Sequence, residues 1–223
     1  MTREIWLFGD SYAREHPECD YSWPILLKQQ YNTKNFAVGG SGPDYQLSVF
    51  LDNLSCTPDT SNIDVIFFVS DIVRFNFKFL HCPSHQYVLK HLDNTNTKVE
   101  HIGKYKKYKK FVKSFFQDYI YHSTYKETET IKIILLLKEL SKHFSNMIII
   151  PIFDNLDEPY VSFDSTKELC IIKNKFRDIE SDEFMSNPNH MSRLVHAHVY
   201  QRLSHWLDTH ENICFKRTNN DLF

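Results

Sequence analysis

The chain has 223 residues, 26 of them basic and 28 acidic, for a formal net charge of -2. So even a balance gives no global field to draw nucleic acid or an anionic membrane, and the length fits one sizeable core better than two. Five widely spaced cysteines, an odd number with no Cys-x-x-Cys pair, favour reduced thiols over a disulfide framework and so an intracellular protein.

The first 13 residues, MTREIWLFGDSYA, lack the apolar stretch and small-residue cleavage site of a signal peptide. No apolar run approaches the roughly 20 residues of a membrane span, so a cytoplasmic or otherwise soluble intracellular protein is expected. Residues 5–8 form a short apolar run that breaks at Gly9-Asp10-Ser11, which reads as a buried strand entering a tight turn. A helix over 22–31 follows. A second strand is expected over 35–38, stopped by Gly39-Gly40-Ser41-Gly42-Pro43, and then a helix near 45–54.

Residues 63–69, IDVIFFV, are continuously apolar apart from one aspartate, as in a strand covered on both faces. The pattern is irregular from 76 to 126, rich in His, Lys and Tyr, and is read as an insertion or lid with one helix near 105–121. Helical spacing returns over 128–144 and leads into an apolar strand over 147–153. A last helix is expected over 189–207, and the tail 216–223 is expected to be poorly ordered. Strands alternating with helices predict a single α/β domain: a three-layer αβα sandwich on a mostly parallel, flavodoxin-like sheet, with ligands at the carboxyl ends of the strands.

Four of the five glycines, Gly9, Gly39, Gly40 and Gly42, fall in two loops directly after expected strands. Such concentration suits backbone N–H groups that must approach a ligand unobstructed, as in an oxyanion site. Phe8-Gly9-Asp10-Ser11-Tyr12 resembles the first block of the SGNH (GDSL-type) hydrolases, where a serine nucleophile follows Gly-Asp near the N-terminus. Asn35-Phe36-Ala37-Val38-Gly39-Gly40 is similar to the family's second block. The third block, usually Gly-x-Asn-Asp, reads Phe68-Val69-Ser70-Asp71 here, and the last, Asp-x-x-His, reads Asn187-Pro188-Asn189-His190.

This resemblance implies a serine esterase with Ser11 as nucleophile and His190 as general base. Ser11, Gly40 (or Gly39) and Ser70 would hold the oxyanion, and Asn187 or Asp182 would orient the imidazole. The implied substrate is a carbohydrate or small ester bearing an acetyl or other short acyl group, and no cofactor or metal is called for. The serine at 70 and the asparagine at 187 leave two other readings open: a weakened SGNH-like fold that binds a glycan or protein, and an O-acyltransferase with the same serine chemistry.

Other features read as structural. Lys104 to Lys113, KYKKYKKFVK, interleaves charge and aromatics as a single-strand nucleic-acid binder does, but a solvated helix face is the simpler expectation. His81, Cys82 and His85 lack the second ligand cluster of a closed metal site. His196 and His198 are expected on the surface of the last helix. Asp10 and Asp71 are expected to organise their turns through backbone N–H groups.

Overall fold

A computed structural model describes residues 3–15, 19–39, 41–69, 123–151, 169–171 and 193–211. In chain order these form β1 (Glu4–Phe8), α1 (Trp23–Gln30), β2 (Asn32–Asn35), α2 (Pro43–Cys56), β3 (Ile63–Val69), α3 (Ser123–Leu140), a 3-10 turn (Ser141–His143), β4 (Asn146–Pro151), β5 (Leu169–Ile171) and α4 (Arg193–Thr209). The five strands make one sheet of order β2-β1-β3-β4-β5, and every pairing is parallel. This is the flavodoxin-like order of a doubly wound α/β protein.

Handedness dictates where the helices lie. The connection from β1 to β2 runs one way along the sheet, while that from β2 to β3 returns past β1 to its other side. Right-handed crossovers therefore put α1 and α2 on opposite faces. The side chains agree with this, since alternate residues of a strand point to opposite faces. Ile5 and Leu7 of β1, with Ile66, Phe68, Ile148 and Ile150, bury themselves against Trp23 and Leu27 of α1 and Val199, Leu203 and Trp206 of α4.

The opposite face is aromatic. Trp6 and Phe8 alternate with Ile5 and Leu7, and Phe8 meets Phe50 of α2 edge to face at 5.1 Å and stacks on Phe67 at 5.6 Å. Phe144, just after the 3-10 turn, closes this cluster against Trp6 and Phe50. Ring pairs in such geometries contribute about 0.5–1.5 kcal/mol beyond their buried area. Desolvation, with the Glu129 carboxylate of α3 second, pushes the Asp44 carboxyl of α2 up although much of its side chain stays exposed.

Several boundaries differ from the expectation. The second strand is Asn32–Asn35, three residues earlier than the apolar run 35–38. It is an edge strand, so Asn32 and Lys34 face solvent and carry no apolar signal. The expected residues still follow β1: the Phe36 N–H donates to the Leu7 carbonyl at 2.8 Å and the Val38 N–H to the Gly9 carbonyl at 3.0 Å. The helix α3 starts at Ser123, so the last four residues assigned to the 76–126 insertion are helical. The rest of that insertion, its expected helix and the Lys104 to Lys113 stretch lie outside the described residues.

Candidate active site

The turn after β1 is built around a glycine that nothing larger can replace without movement. A Cβ on Gly9 would lie 2.7 Å from the Ala13 Cβ and 2.9 Å from the Phe68 Cβ on β3, where a normal carbon contact is roughly 3.5–4.0 Å. The chain next turns through Asp10, which is fully buried. The Asp10 Oδ1 accepts the Tyr12 N–H at 3.0 Å and its carbonyl accepts the Ala13 N–H at 3.1 Å. That is the turn-organising role expected of this aspartate. Ser11 sits half-buried on the turn so formed, just beyond the carboxyl end of β1.

A second loop, after β2, is stitched to the first. The Asn35 Nδ2 donates to the Ala13 carbonyl at 2.9 Å while its Oδ1 accepts the Ala37 N–H at 2.9 Å. The Gly9 carbonyl accepts twice, from the Val38 N–H and from the Ser41 hydroxyl at 3.3 Å. Buried Gln46 of α2 donates in turn to the Ser41 Oγ at 3.2 Å. The Ser41 N–H bonds back to the Val38 carbonyl at 3.1 Å and closes the glycine loop. Here Gly39 lies under Arg14, whose Nη1 would be 3.1 Å from an added Cβ.

Both loops lie at the carboxyl ends of the central strands. In this strand order the switch in winding direction falls between β1 and β3, and ligands bind in the crevice outside it. Ser11 follows β1 there, and Val69 ends β3 on the other side. Of the residues predicted to act, the described structure contains Ser11 and the alternative donor Gly39. Gly40, Ser70, Asp182, Asn187 and His190 lie outside the described residues, as do Asp71 and the His81, Cys82, His85 group. Among the described residues no group of three His, Cys, Asp or Glu could hold a metal ion, and no helix is long and apolar enough to cross a membrane.

One expectation is overturned outright. His196 and His198 are buried, with 6% and 3% of their surface exposed, rather than lying on the surface of the last helix. His196 precedes Val199 by three residues and Leu203 by seven, so it belongs to the stripe that α4 turns to the sheet. Its Nδ1 accepts the Trp23 backbone N–H at 3.3 Å, and its ring meets Tyr21 edge to face at 5.8 Å. Sequence reasoning also passed over Asn35, Ser41, Gln46 and Trp23 as supports of the turn. The stripe spacing could have revealed His196.

No family model matches the chain, and no curated protein does. Among solved structures it is similar to a member of the lipolytic G-D-S-L family from Veillonella parvula, at 12% identity over 96% of this chain and 76% of that one, with a TM-score of 0.37. It is similar to the psychrotrophic esterase EstA from Pseudoalteromonas sp., inhibited there by monoethylphosphonate, at 12% identity over 93% and 100% of the two chains and a TM-score of 0.49. A lipolytic G-D-S-L protein from Desulfitobacterium hafniense is a third, at 15% identity over 91% and 98%, with a TM-score of 0.44.

Proposed function

We propose that the chain is a serine-dependent ester hydrolase of the SGNH type, with Ser11 as nucleophile. One observation carries the reading: Ser11 stands on a turn held by side-chain and backbone hydrogen bonds, at the switch point of a 2-1-3-4-5 parallel sheet. Ligands gather at that point in folds of this order, and a nucleophile there needs a rigid turn.

In this reading His190 takes the proton from the Ser11 Oγ as that oxygen attacks the ester carbonyl. The backbone N–H groups of Ser11 and Gly40, with the Ser70 hydroxyl, hold the oxyanion. The alkoxide leaves with the proton from His190, and water, deprotonated by the same imidazole, releases the acid from the acyl-enzyme. Asn187 or Asp182 orients the ring. Acetyl or another short acyl group on a carbohydrate or small ester is the proposed substrate. The segment 76–126 is the proposed lid or insertion of a single domain.

The test is hydrolysis of chromogenic esters of graded acyl length, together with labelling by a fluorophosphonate, in the wild type, Ser11→Ala and His190→Ala. Loss of at least about a thousandfold in both variants is expected, the scale seen when one member of such a triad is removed. A wild type that neither hydrolyses nor labels refutes the reading and favours a binding protein.

A further inference from the structure

We infer that Trp23 and His196 form a positioning bridge that holds the Ser11 turn in register with the first turn of α4. The inference rests on the esterase reading for its functional consequence alone. Trp23 is fully buried and touches three separate parts of the molecule. Its indole Nε1 donates to the carbonyl of Tyr12, the residue after Ser11, at 2.8 Å. Its ring stacks on Phe68 at 5.1 Å, one residue before the end of β3. The backbone N–H donates to the Nδ1 of His196, on a helix 173 residues away in sequence.

The last contact has a specific physical cause. Trp23 is the first residue of α1, so its N–H has no acceptor within the helix. The preceding Ser22 occupies the cap position but makes no side-chain cap hydrogen bond, and its own hydroxyl is buried without a partner. His196 therefore caps α1 from another helix. Accepting at Nδ1 requires that nitrogen to be unprotonated, which fixes the ring as the neutral tautomer with its proton on Nε2. Tyr21 packs against that ring and Arg193 lies over Tyr21, 5.6 Å from its centroid, so the cap is buttressed from its own helix.

The functional weight of the bridge comes from what lies beside each end. Ser11 adjoins Tyr12, and α4 begins three residues after His190. A slip of α1 against α4 would pull on the Tyr12 carbonyl through Trp23 and turn the proposed nucleophile out of line, which lowers the rate of attack without changing what the pocket binds. Trp23 and His196 touch no reacting atom. Their role is positional.

The experiment compares wild type with His196→Leu, which deletes the acceptor, and His196→Asn, whose Oδ1 can take the place of Nδ1. Trp23→Phe keeps the ring on Phe68 and cuts the link to Tyr12. Amide hydrogen exchange over residues 9–15 and separate kcat and KM values on a short-chain ester are read in each, with Ser11→Ala as control. In His196→Leu and Trp23→Phe, exchange in that segment rises and kcat falls, each by roughly three- to tenfold, the effect of one lost buried hydrogen bond, with KM held. In His196→Asn both recover.

Ser11→Ala abolishes turnover and supplies the activity baseline. Unchanged exchange over 9–15 in both cutting variants, or an asparagine no better than leucine, overturns the bridge. A wild type without esterase activity refutes the catalytic reading instead, while the exchange measurements still decide whether the bridge holds the turn.

Discussion

Alanine at position 9 tests the tightest contact around the proposed nucleophile. The added Cβ would stand 2.7 Å from the Ala13 Cβ and 2.9 Å from the Phe68 Cβ. Neither neighbour can swing away, because each Cβ is fixed directly to backbone, one in the Ser11 turn and one in a fully buried strand. Relief needs the turn to lift from β3 by about 1 Å, given a normal contact of roughly 3.5–4.0 Å. Overpacking of this kind costs about 1–3 kcal/mol, and an alanine at the Gly9 φ of 157° adds about 1–2 kcal/mol of backbone strain.

The sum, about 2–5 kcal/mol, is a large part of the stability of an ordinary domain. It corresponds to a fall in Tm of roughly 10 °C for a chain of this size. Gly39→Ala is the internal control: its nearest contact, at 3.1 Å, is the far end of the flexible Arg14 side chain, and the expected cost is under about 0.5 kcal/mol. Urea unfolding followed by circular dichroism gives both numbers, and adding Ala13→Gly to Gly9→Ala should recover part of the loss. If the two alanines cost the same, or the Ala13→Gly change recovers nothing, the steric argument is wrong.

Two further measurements probe the frame. Burial first, and the hydrogen bond to Asp208 second, push the Tyr31 hydroxyl up to about 12. Its folded value lies above the unfolded one, near 10, so its contribution to stability is present below pH 10 and is lost as the pH rises towards 12. Stability measured across that window should fall more steeply in the wild type than in Tyr31→Phe; parallel curves would remove Tyr31 from the account. At the amino end of the sheet, the Asp64 carboxylate is fully buried, with Arg3 Nη1 at 3.2 Å and His210 Nε2 at 3.5 Å from Oδ2 and Asn146 donating to Oδ1 at 3.0 Å. The Arg3 side chain is 45% exposed, so Arg3→Met should cost about 1–2 kcal/mol, below the loss for a fully buried pair; in an Asp64→Asn background it should cost under about 0.5 kcal/mol, and equal costs in a double-mutant cycle would show no coupling.

What could be read from the sequence follows from how each element meets its surroundings. β1, β3 and β4 are buried on both faces, so their apolar runs stand out, and Ile63–Val69 was delimited to the residue. β2 lies at an edge with its polar residues outward, so the apolar residues that follow it drew the expected strand too far along. β5 is three residues long, too short for any periodicity, and was not expected. Ser11 was legible because a strand, a glycine and a turn-forming aspartate adjoin it in sequence. Its supports were not, because Asn35, Ser41 and Trp23 act through hydrogen bonds to residues remote along the chain, and no local pattern encodes a partner 173 residues away.

β1 shows why these supports matter more than their individual energies. The strand has five residues; at one end Arg3 reaches the buried Asp64 and the Leu207 carbonyl of α4, and at the other the chain enters the Ser11 turn. An inward-facing strand this short transmits any shift of register from one end to the other, because its buried side chains are close-packed on both faces. The turn is therefore held independently of β1: by Asn35 at the end of β2, by Ser41 and Val38 on the Gly9 carbonyl, and by Trp23 from α1. Each bond contributes only about 1 kcal/mol net, but they approach from different elements, so no single slip can satisfy all of them at once. Directional redundancy of this kind does for the proposed serine nucleophile what one strong contact could not, which is to fix its orientation as well as its distance.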